Sequence, residues 1–248
     1  FDLSRAYCIV AGIAGANPDT APLASAVWAR WIVDGDLAFE IDAREIPADW
    51  PTGYLPLFET TPYPQPPPPD RYGLAYRLNP ALVERAHALT RDIDLPDSPA
   101  LAAWRANYAG HPAAGLPPQV MEGDVLSAST FWHGDLLNDW ATRWVPYWTG
   151  GAGVFATSAM EDSGTLAALT RLAQAGRADL DRVLVLRTTS NFTMQHDGID
   201  AAESLSREGN TMSAFFPSLD AAFTVGRVMV DEIVDHWDVY GAAPPRSP

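Results

Sequence analysis

The 248-residue sequence contains no lysine, and all sixteen of its basic residues are arginine. A Schiff-base lysine, a P-loop lysine and a Ser-x-x-Lys nucleophile are therefore excluded. Cys8 is the single cysteine of the sequence. It lies inside an apolar run, where we expect it to be a small core residue. A disulfide framework and a cysteine-rich metal site cannot form within this chain. A whole set of covalent and metal-dependent chemistries is thereby excluded.

Positive charge is scarce as well. The formal net charge is −15 and the pI is about 4.5. A nucleic-acid backbone and an anionic membrane both require clustered cations on the protein, so neither is an expected ligand. We expect a small molecule instead. None of the five histidines shows the spacing of metal ligands, so we expect no metal and no cofactor.

Long apolar runs are missing too. No run approaches the roughly 20 residues that span a bilayer, and no signal sequence is present. The sequence as it stands predicts a soluble chain, and a periplasmic or secreted location requires a signal upstream. With 47% hydrophobic residues and alternating strand-like and helical segments, residues 1–248 are expected to form a single α/β domain. A proline-rich excursion at residues 47–72 is either a lid or an oligomer contact.

Two polar runs, residues 160–165 and 187–191, are the most informative part of the sequence. Each follows a strand-like stretch, at residues 153–157 and 183–186. Because α/β sheets bind ligands at the carboxyl ends of their strands, we expect the two runs to share a site. Glu161 opens a helix there and Ser190-Asn191 end the next strand, so the pair can hold a sugar diol and a heterocycle together.

Glu161 is the candidate ligand of the diol. At a helix N-terminus its carboxylate gains from the helix dipole and stays ionised. An ionised carboxylate can accept hydrogen bonds from both hydroxyls of a diol and can favour positive charge on a neighbouring sugar ring. The alternative is ordinary helix capping by acidic residues, which applies to Asp162 in particular.

Aromatic residues form two further groups. Phe131 and Trp132 lie on a predicted strand-end turn, where they either stack on a flat ring or plug the end of the sheet. Trp140, Trp144 and Trp148 recur every four residues in a predicted helix over residues 135–148, which is typical of core or subunit interface.

The remaining elements follow from local pattern. A strand over residues 7–10 is expected to enter a small-residue turn at residues 11–16, where a ligand can approach the backbone. Strands over residues 26–33 and 37–43 are predicted to be joined by a hairpin turn at residues 34–36, and another strand covers residues 119–126.

Taken together, the sequence resembles the purine nucleoside permease family, whose fold is that of the nucleoside phosphorylases and nucleosidases. The resemblance is carried by residues 1–4 (FDLS), 11–15 (AGIAG), 40–45 (EIDARE) and 52–54 (TGY), with Glu161, Asp162, Thr165, Leu166, Arg187, Thr188 and Ser190. It implies a nucleoside phosphorylase-like α/β fold with a mixed central sheet flanked by helices. The first strands of that fold are expected to lie upstream, so that residues 1–248 are the carboxyl-terminal part of a longer polypeptide.

The resemblance also assigns roles within the site. Ala14, Gly15, Phe131 and Trp132 would border the purine, Met160 and Glu161 would hold the ribose, and Ser190 and Asn191 would meet the N7 side of the base. Glu161 and Asn191 are the candidate catalytic residues.

Two departures from the family pattern bear on the reaction. Asn191 stands where an aspartate is common, and an amide hydrogen-bonds a base but cannot deliver a proton as an acid. Val10 and Ala11 precede Gly12, where phosphorylases of this fold commonly place a phosphate-binding arginine. The second departure favours water over phosphate as nucleophile, or binding without chemistry.

The leading hypothesis is purine nucleoside recognition with cleavage of the N-glycosidic bond, by hydrolysis rather than phosphorolysis. The alternative is a non-catalytic nucleoside-binding component of nucleoside uptake, and a third reading is an oligomeric scaffold whose pocket has decayed. The expected partners are a purine nucleoside, phosphate if the reaction is phosphorolytic, further copies of the chain in a homo-oligomer, and an N-terminal fragment of the same polypeptide.

Overall fold

The computed structural model describes residues 2–63, 66–67, 73–208 and 214–246. The strands are β1 (Cys8–Ala16), β2 (Ala26–Trp28), β3 (Trp31–Asp34), β4 (Ala38–Glu40), β5 (Tyr54–Pro56), β6 (Ala75–Arg77), β7 (Val120–Glu122), β8 (Asp124–Ser127), β9 (Phe155–Ala159) and β10 (Val183–Phe192). The helices are α1 (Pro80–Thr90), α2 (Pro99–Arg105), α3 (Asp135–Trp148), α4 (Asp162–Gln174), α5 (Ala201–Glu208), α6 (Phe215–Asp235) and α7 (Trp237–Tyr240).

One mixed sheet of eight strands organises the described residues, in the order β6-β3-β8-β9-β1-β10-β2-β7. The expected α/β class, with a mixed central sheet flanked by helices, is confirmed. Because β2 and β3 are only two residues apart in the chain but lie on opposite sides of β1, the sheet must curl strongly.

Three strand ends meet in the middle of this sheet. β1 runs parallel to β10 along its length. β9 is antiparallel to β1 and overlaps it only where Gly15 faces Ser158 and Ala16 faces Thr157. The carboxyl ends of β1, β9 and β10 therefore converge, while residues 8–14 of β1 have no strand partner on the β9 side within the described part of the chain.

A β-bulge lies at this convergence. Ala14 pairs with Thr189 and Gly15 with Asn191, so Ser190 is the extra residue of β10. A bulge re-aims the side chains that follow it. Here it brings Asn191 opposite Gly15.

Helices cover both faces of the sheet. Val33 and Leu126 pack with the tryptophans of α3 in one core cluster, whereas their neighbours Ile32 and Val125 pack with Leu166 of α4 in another. Neighbouring residues of a strand point to opposite faces, so α3 and α4 lie on opposite sides of β3 and β8. Helices α1 and α6 pack against each other, α1 also against β2 and β7, and α6 against β1, β2 and β10.

The tryptophans of α3 are core residues of this chain. Trp140, Trp144 and Trp148 are buried, and the Trp144 indole N–H donates to the carbonyl oxygen of Asp34 at 2.9 Å. Of the two readings left open for this stripe, the core is the one observed. Cys8 is half-buried against the other cluster, and burial raises the pKa of its thiol.

One prediction about local structure near the site is wrong. Residues 11–16 do not turn, because β1 continues to Ala16 and remains paired with β10. Ser190 and Asn191 were expected to end a strand, and they lie at the carboxyl end of β10, which ends at Phe192 with every residue buried.

The predicted strands over residues 26–33 and 119–126 are each divided in two. The first breaks at Ala29 and Arg30, where the Asp124 carboxylate accepts the backbone N–H of Arg30 at 3.2 Å and of Trp31 at 2.8 Å. The second breaks at Gly123, where a Cβ would clash with the Cβ of Ala156. At both breaks the chain crosses between two parts of the curled sheet.

The predicted hairpin is also wrong. The Asp34 carboxylate accepts the backbone N–H groups of Asp36 and Leu37, both at 2.9 Å, and forms a local turn. The strand after that turn, β4, pairs with β5 in a separate two-stranded sheet. In the proline-rich excursion, residues 64, 65 and 68–72 lie outside the described residues.

Two features are absent from the described ranges. No helix there combines the length and apolarity needed to cross a bilayer. No group of three or more His, Cys, Asp or Glu side chains there is arranged to hold a metal ion.

Candidate functional site

A narrow cleft of about 20 Å³ opens where β1, β9 and β10 converge. This volume is about that of one water molecule and lies far below the roughly 300–1,000 Å³ of most small-molecule pockets. Its lining residues are Gly15, Thr130, Phe131, Trp132, Ser158, Met160, Asn191 and Thr193. Residues from both polar runs, 160–165 and 187–191, thus meet at one cleft.

The structure gathers five of the eight predicted site residues in the lining, namely Gly15, Phe131, Trp132, Met160 and Asn191. Ala14, Glu161 and Ser190 are their immediate chain neighbours and do not line the cleft.

Asn191 is held in one orientation. Its side chain is only 6% exposed, its Oδ1 accepts the Ser190 hydroxyl at 2.9 Å, and its Nδ2 donates to the carbonyl oxygen of Phe192 at 3.2 Å. An amide carries two N–H donors and two acceptor lone pairs, so one of each remains for a ligand. Ser190, which does not line the cleft, therefore orients the Asn191 amide by its hydrogen bond to Oδ1.

Gly15 makes room for this arrangement. A Cβ at Gly15 would lie 2.9 Å from Cγ2 of Thr193 and 3.4 Å from Nδ2 of Asn191. The first distance is too short for a methyl group, so the cleft wall at this point must be bare backbone.

The two aromatic residues of the β8–α3 loop differ in environment. Phe131 is 53% exposed and stands at the rim, beside the exposed Met160. Trp132 is 9% exposed, and its ring packs on Trp140 and Phe155 with centroids 5.9 and 6.0 Å apart. Phe131 is therefore free to stack on a ligand, whereas Trp132 is anchored in the core.

The loop that carries Phe131 is tied down behind it. The Gly134 N–H donates to the Thr193 carbonyl oxygen at 2.9 Å, and Nε2 of His133 lies 3.0 Å from the Ser204 hydroxyl. Burial lowers the pKa of His133, which favours its neutral form.

Glu161 belongs to a group of three charges. Arg187, on β10 and 3% exposed, donates from Nε to Oδ2 of Asp162 at 2.9 Å and from Nη2 to its Oδ1. The same Nη2 donates to Oε2 of Glu161 at 3.0 Å. Asp162 is fully buried, and that burial raises the pKa of its carboxyl, while Arg187 acts in the opposite direction.

Neither carboxylate caps the helix. The first turn of α4 is capped from β8 instead, because the Ser127 hydroxyl oxygen accepts the Ser163 N–H at 2.9 Å. The Asp162 carboxylate bonds Arg187, and the Glu161 side chain makes no capping hydrogen bond. The capping alternative is therefore wrong for both residues.

Arg187 also brings a cation beside Gly12. Its Nη1 donates to the Ile13 carbonyl oxygen at 3.3 Å, and a Cβ at Gly12 would lie 2.7 Å from Nη1. The sequence places no cation before Gly12, but β10 supplies one from the side. Asp162 and Glu161 balance its charge.

Sequence reasoning missed the role of this arginine. Arg187 lies in a strand whose residues are all buried, and a buried guanidinium requires a carboxylate partner. That requirement is a usable signal pointing to the Glu161-Asp162 pair. Ser158 and Thr193 in the cleft lining had no comparable signal.

Comparison with known proteins identifies the family. The family model described as purine nucleoside permease matches residues 1–245. The chain belongs to the purine nucleoside permease family.

Curated relatives within this family come from yeasts. A probable purine nucleoside permease of Schizosaccharomyces pombe is 29% identical over 248 residues, which cover 97% of this chain and 70% of the relative. A purine nucleoside permease of Candida albicans is 30% identical over 246 residues, which cover 96% of this chain and 59% of the relative. This family member thus spans only part of the length of either relative.

Among solved structures, similarity to the family member is more distant. Futalosine hydrolase of Helicobacter pylori is 15% identical with a TM-score of 0.42, covering 90% of this chain and 67% of that one. The 5'-methylthioadenosine/S-adenosylhomocysteine nucleosidase of S. pneumoniae is 12% identical with a TM-score of 0.48, at the same coverage.

Proposed function

We propose that this permease-family chain recognises a purine nucleoside at the cleft between β1, β9 and β10 and hydrolyses its N-glycosidic bond. The observation that supports this most is the convergence of Met160, after β9, with Asn191, inside β10, at a cleft whose rim carries the exposed ring of Phe131, while Glu161 is the chain neighbour of Met160. A carboxylate, an oriented amide and an aromatic face are the groups that a sugar diol and a flat base need.

The sugar end of the proposed ligand lies toward Glu161. Its side chain is largely exposed, yet one oxygen is held by Arg187, so the carboxylate is accessible and restrained at once. An ionised carboxylate accepts from two neighbouring hydroxyls and stabilises positive charge that develops on the sugar ring.

The base end lies toward Asn191 and Phe131. The free N–H and free lone pair of the Asn191 amide match the donor and acceptor edges of a purine. Stacking on an aromatic ring contributes roughly 1–3 kcal/mol per base.

The proposed reaction is a displacement at the anomeric carbon of the sugar. Water forms a bond to that carbon, the carbon–nitrogen bond to the base breaks, and its electron pair leaves with the base. The base gains a proton and the sugar gains a hydroxyl, so that free purine and ribose are the products. Water is favoured over phosphate because Arg187, the cation beside Gly12, is already balanced by two carboxylates.

A second function is favoured by one residue. Asn191 cannot act as a general acid, so leaving-group activation is limited to hydrogen bonding. This observation supports a nucleoside-binding component of uptake that performs no chemistry, a role in keeping with the names of the yeast relatives.

One experiment separates the functions. The full chain is incubated with inosine or adenosine, with and without phosphate, and products and binding are measured. Free base released without phosphate supports hydrolysis, and ribose 1-phosphate supports phosphorolysis. Binding without either product supports the uptake component. A chain that binds neither nucleoside contradicts both proposals.

A further inference from the structure

We propose that Asp162 is a positioning residue that acts through Arg187 to hold the Glu161 carboxylate, oriented and charged, for the hydroxyls of the ligand's sugar. The inference rests on the proposed function of the cleft. It adds a buried residue that does not line the cleft.

Hydrogen-bond geometry is the first step. Asp162 takes Nε–H and one Nη2–H of the Arg187 guanidinium, with Nε at 2.9 Å from Oδ2. A bidentate pair of this kind fixes the plane of the guanidinium. The second Nη2 hydrogen is then the one that reaches Glu161, at 3.0 Å. The direction from which Arg187 holds Glu161 is therefore set by Asp162.

Charge is the second step. Arg187 and Asp162 together carry no net charge, so the group of three retains the negative charge of Glu161. Without the Asp162 charge, Arg187 would neutralise Glu161 instead. A neutralised carboxylate is a weaker acceptor for hydroxyls and does less to favour positive charge on the sugar.

Burial is the third step. Asp162 is 0% exposed and Arg187 3%, whereas the Glu161 side chain is largely exposed. An ion pair at the surface is weak and mobile by itself. Attachment to a rigid buried pair restrains Glu161 before the ligand arrives, so less side-chain freedom is lost on binding.

The test is a double-mutant cycle on binding of inosine and of the free base hypoxanthine. Asp162→Asn is expected to weaken inosine binding about tenfold, which corresponds to about 1.4 kcal/mol. Hypoxanthine binding should change by less than about twofold. In a Glu161→Gln background, Asp162→Asn should cause no further loss of inosine affinity, because residues of one network are not additive.

A purely structural role for Asp162 gives a different pattern. Asp162→Asn would then weaken both ligands, or weaken inosine equally in both backgrounds, and either result overturns the inference. Asp97→Asn is the matched control. It removes the partner of another buried arginine, Arg105, whose two bonds to Asp97 measure 2.8 and 2.7 Å and which does not line the cleft. It should lower Tm without changing the ratio of inosine to hypoxanthine affinity.

A double variant keeps the inference testable if the Asp162→Asn protein does not fold. Asp162→Asn/Arg187→Gln removes both buried charges, a change that proteins tolerate better than one orphaned charge. It too should weaken inosine alone, and inosine affinity equal to the parent's overturns the inference. If Glu161→Gln weakens inosine and hypoxanthine equally, the proposed function fails and the inference fails with it. If Glu161→Gln weakens inosine alone while Asp162→Asn changes nothing, only the inference fails.

Discussion

Asn191→Asp is the substitution that most sharply tests the chemistry proposed for the cleft. In the parent, Nδ2 of Asn191 donates to the Phe192 carbonyl oxygen at 3.2 Å. A carboxyl group of the same shape would place an oxygen there, facing another acceptor at that distance. The lone pairs of that acceptor repel an ionised carboxylate, and a site 6% exposed also disfavours the charged form. We therefore expect the pKa of the new carboxyl to be raised.

The magnitude follows from what a proton at this position can do. A positioned general acid contributes typically 10²–10⁴-fold, or about 3–5 kcal/mol of barrier. If Asn191 faces the base, the variant should cleave inosine faster than the parent by an amount in that range. The gain should be present at low pH and fall as pH rises through the pKa of the carboxyl, because only the protonated form is an acid.

The assay is release of free base from inosine between pH 5 and 8, with inosine affinity measured in parallel. Asn138→Asp is the control, since Asn138 is another buried asparagine but does not line the cleft. It should not raise cleavage. If Asn191→Asp matches the parent in turnover and affinity over the whole pH range, Asn191 does not face the base and the assignment is wrong.

Three further predictions use other measurements. Phe131→Ala should weaken inosine and hypoxanthine alike by roughly 1–3 kcal/mol with little change in Tm, because the ring is half exposed; an unchanged affinity with a large drop in Tm would make it a core residue. Gly12→Ala places a carbon 2.7 Å from Nη1 of Arg187. It should weaken the binding of inosine but not of hypoxanthine, and it should lower the free energy of unfolding by roughly 1–3 kcal/mol. Inosine affinity equal to the parent's would refute the contact. The lowered pKa of His133 means that the unfolded chain binds more protons below about pH 6.5, so stability should decrease as pH falls below that value. Thermal unfolding of His133→Gln should show a smaller decrease, and an identical pH dependence would contradict this.

Much of the architecture could be predicted where the pattern is long and periodic. The α3 helix was predicted at its observed bounds because three tryptophans recur at four-residue spacing and all face the core. A helix opened by residues 160–165 was predicted because a polar run follows a strand, and α4 begins there at Asp162. In these segments local propensity and tertiary burial agree.

The predictions failed where tertiary pairing decides the structure. The glycines of β1 predicted a turn, yet they remain in the strand, since Gly12 and Gly15 accommodate the side chains of Arg187 and of Thr193 and Asn191. The bulge at Ser190 has no local sequence signal, because it results from the registers of two strands separated by more than 160 residues. The sequence therefore predicted which residues lie near the site, but it did not predict the directions of their side chains or the pairing of their strands.

Glu161 gives a second way, besides Asn191, to distinguish an enzyme from a binder. Stacking on Phe131 and the hydrogen bonds of Asn191 act on the base of the bound nucleoside before and during bond cleavage, so they contribute affinity more than rate. The Glu161 charge is different, because positive charge on the sugar exists only as the bond breaks. In a hydrolase, Glu161→Gln should therefore lower kcat as well as inosine affinity, whereas in an uptake component it should lower affinity alone, by roughly 1.5–3 kcal/mol. Steady-state kinetics beside equilibrium binding decides between them, and a variant with unchanged kcat and unchanged affinity would remove Glu161 from the site altogether.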